Sequence, residues 1–291
     1  MNDSGAPKFK KAARLSWRFA RPLLIAYLLV VLAMVMLERW LVYPAPPRSA
    51  GDWHPTGFKY EDVWFQSADG TRLHGWFLPK SQPNRAILYC HGNGEDVASV
   101  GQFAAMLREL ADASVFVFDY RGYGHSEGRP YEAGCIADGN AAQHWVAERM
   151  GIRPNEVVLM GRSLGSAIAI ALAAKNGTRA LVLENAFPTM TDVAAWHFPW
   201  LPVRWMMKNR YDNLVRIRQY HGPLLQSHGT ADELVPLSFA QRLFDASPSK
   251  LKQWLELRGL DHNSPAPIGY FTQLRNFLDS AANSSHISEN P

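Results

Sequence analysis

Residues 157–174, VVLMGRSLGSAIAIALAA, decide how the whole chain is read. An apolar run of strand length leads with no intervening loop into Gly161-Arg162-Ser163-Leu164-Gly165. A small, apolar run of helix length follows at once. A strand that turns directly into a helix leaves room only for small residues around the turning position, and Gly161 and Gly165 meet that demand. The start of the helix would aim backbone N–H dipoles past the Ser163 hydroxyl, where negative charge would be favoured. A bare G-x-S-x-G also suits an ordinary Gly/Ser turn, but the strand before it and the helix after it predict a nucleophile elbow.

Outward from this motif, short apolar runs of strand length lie at 86–89, 115–118, 180–183, 224–226 and 254–257. Helical patterns fall between most of them, at 100–110, 131–150, 164–175, 238–246 and 268–279. Continuous apolar strands alternating with helices predict an α/β fold with a mainly parallel sheet covered on both faces. Two alternating runs around Asp69-Gly70 predict an antiparallel hairpin ahead of it. The rhythm breaks at 186–221, where Trp196, Phe198, Trp200, Trp205, Met206 and Met207 stand among several prolines. That stretch is expected to be an insertion over the sheet edge. One domain, 58–281, accommodates all of this, and the polar residues 282–291 are expected to form a disordered tail.

The net charge of +4 is not spread over the chain. Residues 1–22 hold six basic side chains against Asp3, so the remainder is close to neutral and lacks the footprint of a nucleic-acid binder. An apolar run at 23–37, extended by Trp40 and Tyr43, predicts a spanning helix at 23–43. The basic flank would keep the N-terminus cytoplasmic and place the domain on the extracytoplasmic side. The competing readings are a cleaved signal, for which no good cleavage site follows, and a helix buried in the fold. Residues 44–57, rich in Pro and Gly, are expected to be a linker. Cys90 and Cys135 are expected to be buried free thiols, since two cysteines are no disulfide framework.

With the elbow in place the chain resembles the α/β-hydrolase family from about residue 58 to 280, and within it the membrane-anchored branch that includes lysophospholipases and depalmitoylases. The resemblance implies roles residue by residue. YCHGNGE at 89–95 matches the loop that supplies one oxyanion-hole amide, which falls on Asn93, or on Gly94 as the alternative, with the amide of Leu164 as partner. DYRGYGHSEG at 119–128 matches a structural turn, so Asp119, Arg121 and Ser126 are read as structural. HGTADELVP at 228–236 places the acid at Asp232, with Glu184 and Glu233 as rivals. His262, in ELRGLDHNSP, stands where the family keeps its base, although Asp261 replaces the usual preceding glycine.

The implied activity is hydrolysis of carboxylic esters or thioesters of acyl or lipid-like substrates, with no cofactor. A peptidase or amidase on the same triad remains an alternative, as does a non-catalytic membrane scaffold. No histidine spacing predicts a metal. The cations Arg204, Lys208, Arg210, Arg216 and Arg218 suggest a lid whose basic residues meet anionic head groups; its plainer reading is a cap packed on the core. On the lid reading, removing the anchor costs activity on vesicles and spares short soluble esters.

Overall fold

A computed structural model of the chain describes residues 6–47 and 51–287. In chain order the elements are α1 (Ala6–Val42), β1 (Glu61–Gln66), β2 (Arg72–Leu78), β3 (Arg85–Cys90), α2 (Val97–Leu110), β4 (Ala113–Phe118), α3 (Glu132–Met150), β5 (Val158–Arg162) and α4 (Leu164–Asn176). They continue with β6 (Leu181–Glu184), α5 (Met190–His197), α6 (Val203–Met206), α7 (Asn213–Ile217), β7 (Leu224–Gly229), α8 (Leu237–Ala246), β8 (Lys252–Leu257) and α9 (Ile268–Ile287). The strands form one sheet in the order β1-β2-β4-β3-β5-β6-β7-β8. The β1–β2 and β2–β4 pairs are antiparallel and the rest are parallel. The hairpin turns where Asp69-Gly70 predicted it, with Gly70 at φ +82° and its N–H donating to the Ser67 carbonyl.

Alternation along the strands divides the core. In β3, Ala86, Leu88 and Cys90 face one cluster with α3, α4, α7 and α8, whereas Ile87 and Tyr89 face another with α2 and α9. β4 repeats the pattern, Phe116 and Phe118 on one side and Val115 and Val117 on the other. Both thiols are buried and free.

The glycine-rich turn after β4 is held by charge. The guanidinium of Arg121 donates to Asp138 on α3, to Asp69 and to Ser67. Asp119 accepts from the N–H groups of Val97 and His125. Asp138 is fully buried, so Asp138→Ala leaves the buried guanidinium with only the half-exposed Asp69 as counter-charge and is expected to cost about 3 kcal/mol in chemical denaturation. A loss below about 1 kcal/mol would show that Asp69 alone compensates the guanidinium.

Three boundaries differ from expectation. Val42 and Tyr43 are buried in the same cluster as α3 and α4, so the apolar helix ends inside the domain rather than at a free linker. Within the expected linker, Trp53 stacks on His125 at 3.9 Å and packs edge-on against Trp76 at 6.2 Å. The aromatic side chains recruit this stretch to the sheet despite its Pro and Gly. The expected tail boundary falls inside α9, because Ala281 remains buried against the sheet and the helix runs on to Ile287; residues 288–291 lie outside the described ones.

Candidate active site

The elbow begins at the last residue of β5. Ser163 sits at φ 51°, ψ −117°, a backbone state that L residues rarely adopt, and heads α4 directly. Its N–H donates to the Glu184 carbonyl at 2.9 Å, and its carbonyl accepts from the N–H of Ser166. A Cβ on Gly161 would overlap the backbone of Gly165, and one on Gly165 would overlap the Cys90 carbonyl. The two glycines therefore follow from crowding between β3, β5 and α4.

Two loops at the same sheet edge complete the constellation. His262 Nε2 lies 2.9 Å from Ser163 Oγ, and its Nδ1 lies 2.7 Å from Asp232 Oδ2. A carboxylate can only accept, so Nδ1 carries the proton and Nε2 is free to accept from the serine hydroxyl. Asp232 is fixed in turn, because its Oδ1 accepts from the N–H groups of Leu234 at 3.0 Å and Val235 at 2.8 Å. His228 Nε2 stands 3.3 Å from the same carboxylate and donates to the Val235 carbonyl. Burial lowers the pKa of His228, which favours a neutral ring beside Asp232.

Ser163, Leu164 and Asn93 share the lining of a cavity of about 220 Å³. Phe187, Met190, Val193, Leu201, Val203 and Met206 make most of its remaining surface on the insertion side apolar. The Asn93 side chain is pinned: Nδ2 donates to the Val42 carbonyl at 2.6 Å, and Oδ1 accepts from the Tyr123 hydroxyl at 2.6 Å. Among the described residues no cluster of three or more His, Cys, Asp or Glu could hold a metal ion.

A family model described as alpha/beta hydrolase fold matches residues 85–216. The alpha/beta hydrolase domain-containing protein WAV2 of Arabidopsis thaliana is 31% identical over 67% of this chain and 68% of its own length. The chain belongs to the α/β-hydrolase family. Similar proteins include an uncharacterized protein of Mycobacterium tuberculosis, 36% identical over 84% of this chain and 89% of that one. Protein bem46 of Schizosaccharomyces pombe is 30% identical over 83% of this chain and 85% of its own. Among solved structures, an esterase of Pyrococcus furiosus superposes with a TM-score of 0.65 at 20% identity, covering 81% of this chain and 98% of that one, which shows the shared fold.

In this α/β-hydrolase the imidazole of His262 bonds Asp232 and not the rival carboxylates. Glu233 is exposed, and Glu184 is buried, with burial pushing its carboxyl above the usual range against the pull of the Tyr270 hydroxyl. Other residues, not singled out from the sequence, tie the loops together. Arg162 donates to the His262 carbonyl at 2.9 Å and pairs with Glu95 at 2.7 Å. Glu95 also accepts from the Gly92 N–H, and Asn185 donates a second bond to the His262 carbonyl. Arg162 occupies the variable position of G-x-S-x-G and Glu95 ends the HGNGE run, so each lay beside a recognised motif without a signal of its own.

The basic residues of the insertion are partly spoken for. Arg204 pairs with Asp192 and Arg216 with Glu132, while Arg210 donates to the Arg204 carbonyl.

Proposed function

We propose that this α/β-hydrolase is a serine hydrolase that cleaves carboxylic ester or thioester bonds of acyl, lipid-like substrates through an acyl-enzyme. The observation that carries the reading is the unbroken relay Asp232–His262–Ser163 opening into an apolar cavity. His262 Nε2 takes the hydroxyl proton as Ser163 Oγ attacks the carbonyl carbon. The amides of Leu164 and Asn93 would hold the resulting oxyanion, the first with the start of α4 behind it. The imidazolium, stabilised by Asp232, then protonates the leaving alcohol or thiol. Water repeats the sequence to release the acid and restore the serine.

The largely apolar cavity favours an acyl chain over a peptide, whose backbone polar groups would need partners there. The superposed Pyrococcus furiosus protein is described as an esterase, which agrees with this choice. As to location, 20–42 of α1 has a mean hydropathy of 2.3 and sufficient length to cross a bilayer. With the basic residues preceding it, this supports a single-pass anchor with a cytoplasmic N-terminus.

The decisive test is fluorophosphonate labelling mapped to Ser163, followed by a panel of esters, thioesters and peptides of graded chain length. Ester turnover with labelling at Ser163 is expected; peptide turnover without ester turnover would overturn the substrate assignment. The Arg162–Glu95 clamp adds a narrower expectation. Glu95→Gln discards the charge partner of Arg162 and loosens Gly92 and His262 together, so kcat should fall about 10- to 100-fold with KM little changed. Unaltered kcat would show that Asn185 alone suffices to hold the histidine loop.

A further inference from the structure

The cavity that holds Ser163 has an unexpected wall. Met34, Val35, Glu38, Leu41 and Val42 of α1 line it, at spacings that put them on one helical face. Opposite them stand residues of the insertion, Met190, Val193, Phe198 and Met206 among them. The cleft that ends at the serine hydroxyl is thus built from the hydrolase domain on most sides and closed on one by the apolar helix.

Polar bonds hold that helix in place. Glu38 Oε1 accepts from the N–H groups of Lys208 and Asn209 and from Asn209 Nδ2, each at 2.9 Å. The Tyr43 hydroxyl bonds Asn209 and Tyr211, and the Val42 carbonyl accepts from Asn93. Farther down, the Tyr27 hydroxyl donates to the Trp200 carbonyl at 3.1 Å. From Tyr27 to Val42 the helix rises about 22 Å, so the insertion accompanies α1 over much of the thickness of a bilayer core. Over the same length the rest of α1 is bare: Leu29 is 60% exposed and Met36 74%. On the insertion, Trp196 and Trp200 are exposed and Trp205 is 92% exposed.

We infer that α1 is a wall of the acyl-binding site as well as an anchor, and that the substrate's acyl chain enters sideways from the bilayer through the cleft between α1 and the α5–α6 segment. The inference rests on the reading of the chain as a membrane-anchored acyl ester hydrolase. The occupant follows from continuity. The surface α1 shows to lipid is apolar and so, apart from Glu38 with its carboxylate bonded to Lys208 and Asn209, is the one it shows to the cavity, so a bilayer acyl chain can pass from one to the other without crossing water. A soluble acyl ester would have to reach the same cleft beside an insertion whose exposed Trp196, Trp200 and Trp205 suit an interface or lipid.

The test uses the full chain in phosphatidylcholine vesicles with a hexadecyl fluorophosphonate that carries a diazirine on its chain. Ser163 Oγ displaces fluoride from phosphorus, His262 takes the proton, and light then fixes the chain where it lies. Cross-links to α1 at 34–42 are expected. Labelled Ser163 with cross-links only on the insertion or on lipid would overturn the wall. Absence of labelling at Ser163 would instead remove the hydrolase reading, and the inference with it. A second measurement compares Val35→Trp, which fills the cleft from the helix side, with Leu32→Trp on the exposed side of α1. The ratio of palmitoyl to acetyl ester kcat/KM should drop about tenfold or more in the first, in keeping with the cost of overpacking, and stay at the wild-type value in the second. Equal ratios in the two variants would sink the proposal, as would a vesicle-bound substrate that is cleaved no faster than the same ester in solution.

Discussion

Ser163→Ala should lower ester turnover by about 10⁵ to 10⁶ while leaving the protein folded, because the acyl-enzyme has no other oxygen to form on. The hydroxyl is 2.9 Å from His262 Nε2, and removing it leaves the imidazole without a proton to accept. Stability adds a second expectation, since the strain at this position belongs to the backbone. At φ 51° any residue with a Cβ is disfavoured, so alanine keeps the strain and glycine releases it. Ser163→Gly should be as inactive as Ser163→Ala yet melt higher, by an amount equivalent to about 1 kcal/mol. Activity assays paired with thermal melts of both variants check the two claims. Near-normal turnover in purified Ser163→Ala would dispose of the mechanism.

Asp232→Asn should cost about 10⁴ in kcat, even though the side chain keeps its shape. The reason lies in which oxygen faces which partner. Oδ1 is committed to the N–H groups of Leu234 and Val235, so in the variant the amide oxygen must stay there. The amide nitrogen then points at His262 Nδ1, where Oδ2 was 2.7 Å away, and donates to it. That donation moves the ring proton to Nε2, and a protonated Nε2 cannot accept from Ser163. Glu233→Gln, at an exposed neighbouring position, should change little. If Asp232→Asn kept activity within tenfold of wild type while Glu184→Gln lost it, the acid would have to be reassigned to the buried carboxylate at the end of β6.

The parts of this structure that were legible in the sequence are the local ones. Strand-helix alternation gave the parallel sheet to within a few residues at each boundary, because buried strands are uniformly apolar and the crossover helices are periodic. The elbow was legible because its crowding forces glycine on both sides of Ser163. Asp232 and His262 were reachable through resemblance in short motifs, and the structure brings both to Ser163. What could not be read is what depends on distant pairs. Arg162 meets Glu95 across 67 positions and the His262 carbonyl across 100, and such contacts leave no period. The face by which α1 packs was hidden for a different reason. A helix apolar on every side has no stripe to mark its partner, and only Glu38, a lone carboxylate near its end, stands out as the place where the helix meets a backbone rather than lipid.

The bond between the Val42 carbonyl and Asn93 bears on how the protein should be produced. Trimming the first 42 residues to obtain a well-behaved soluble fragment would cut away one bank of the substrate channel and untie the loop beside the nucleophile. Such a fragment is expected to be sluggish even toward small water-soluble esters, in contrast to what a detachable tether would give. Its kinetics would describe the truncation and not the enzyme.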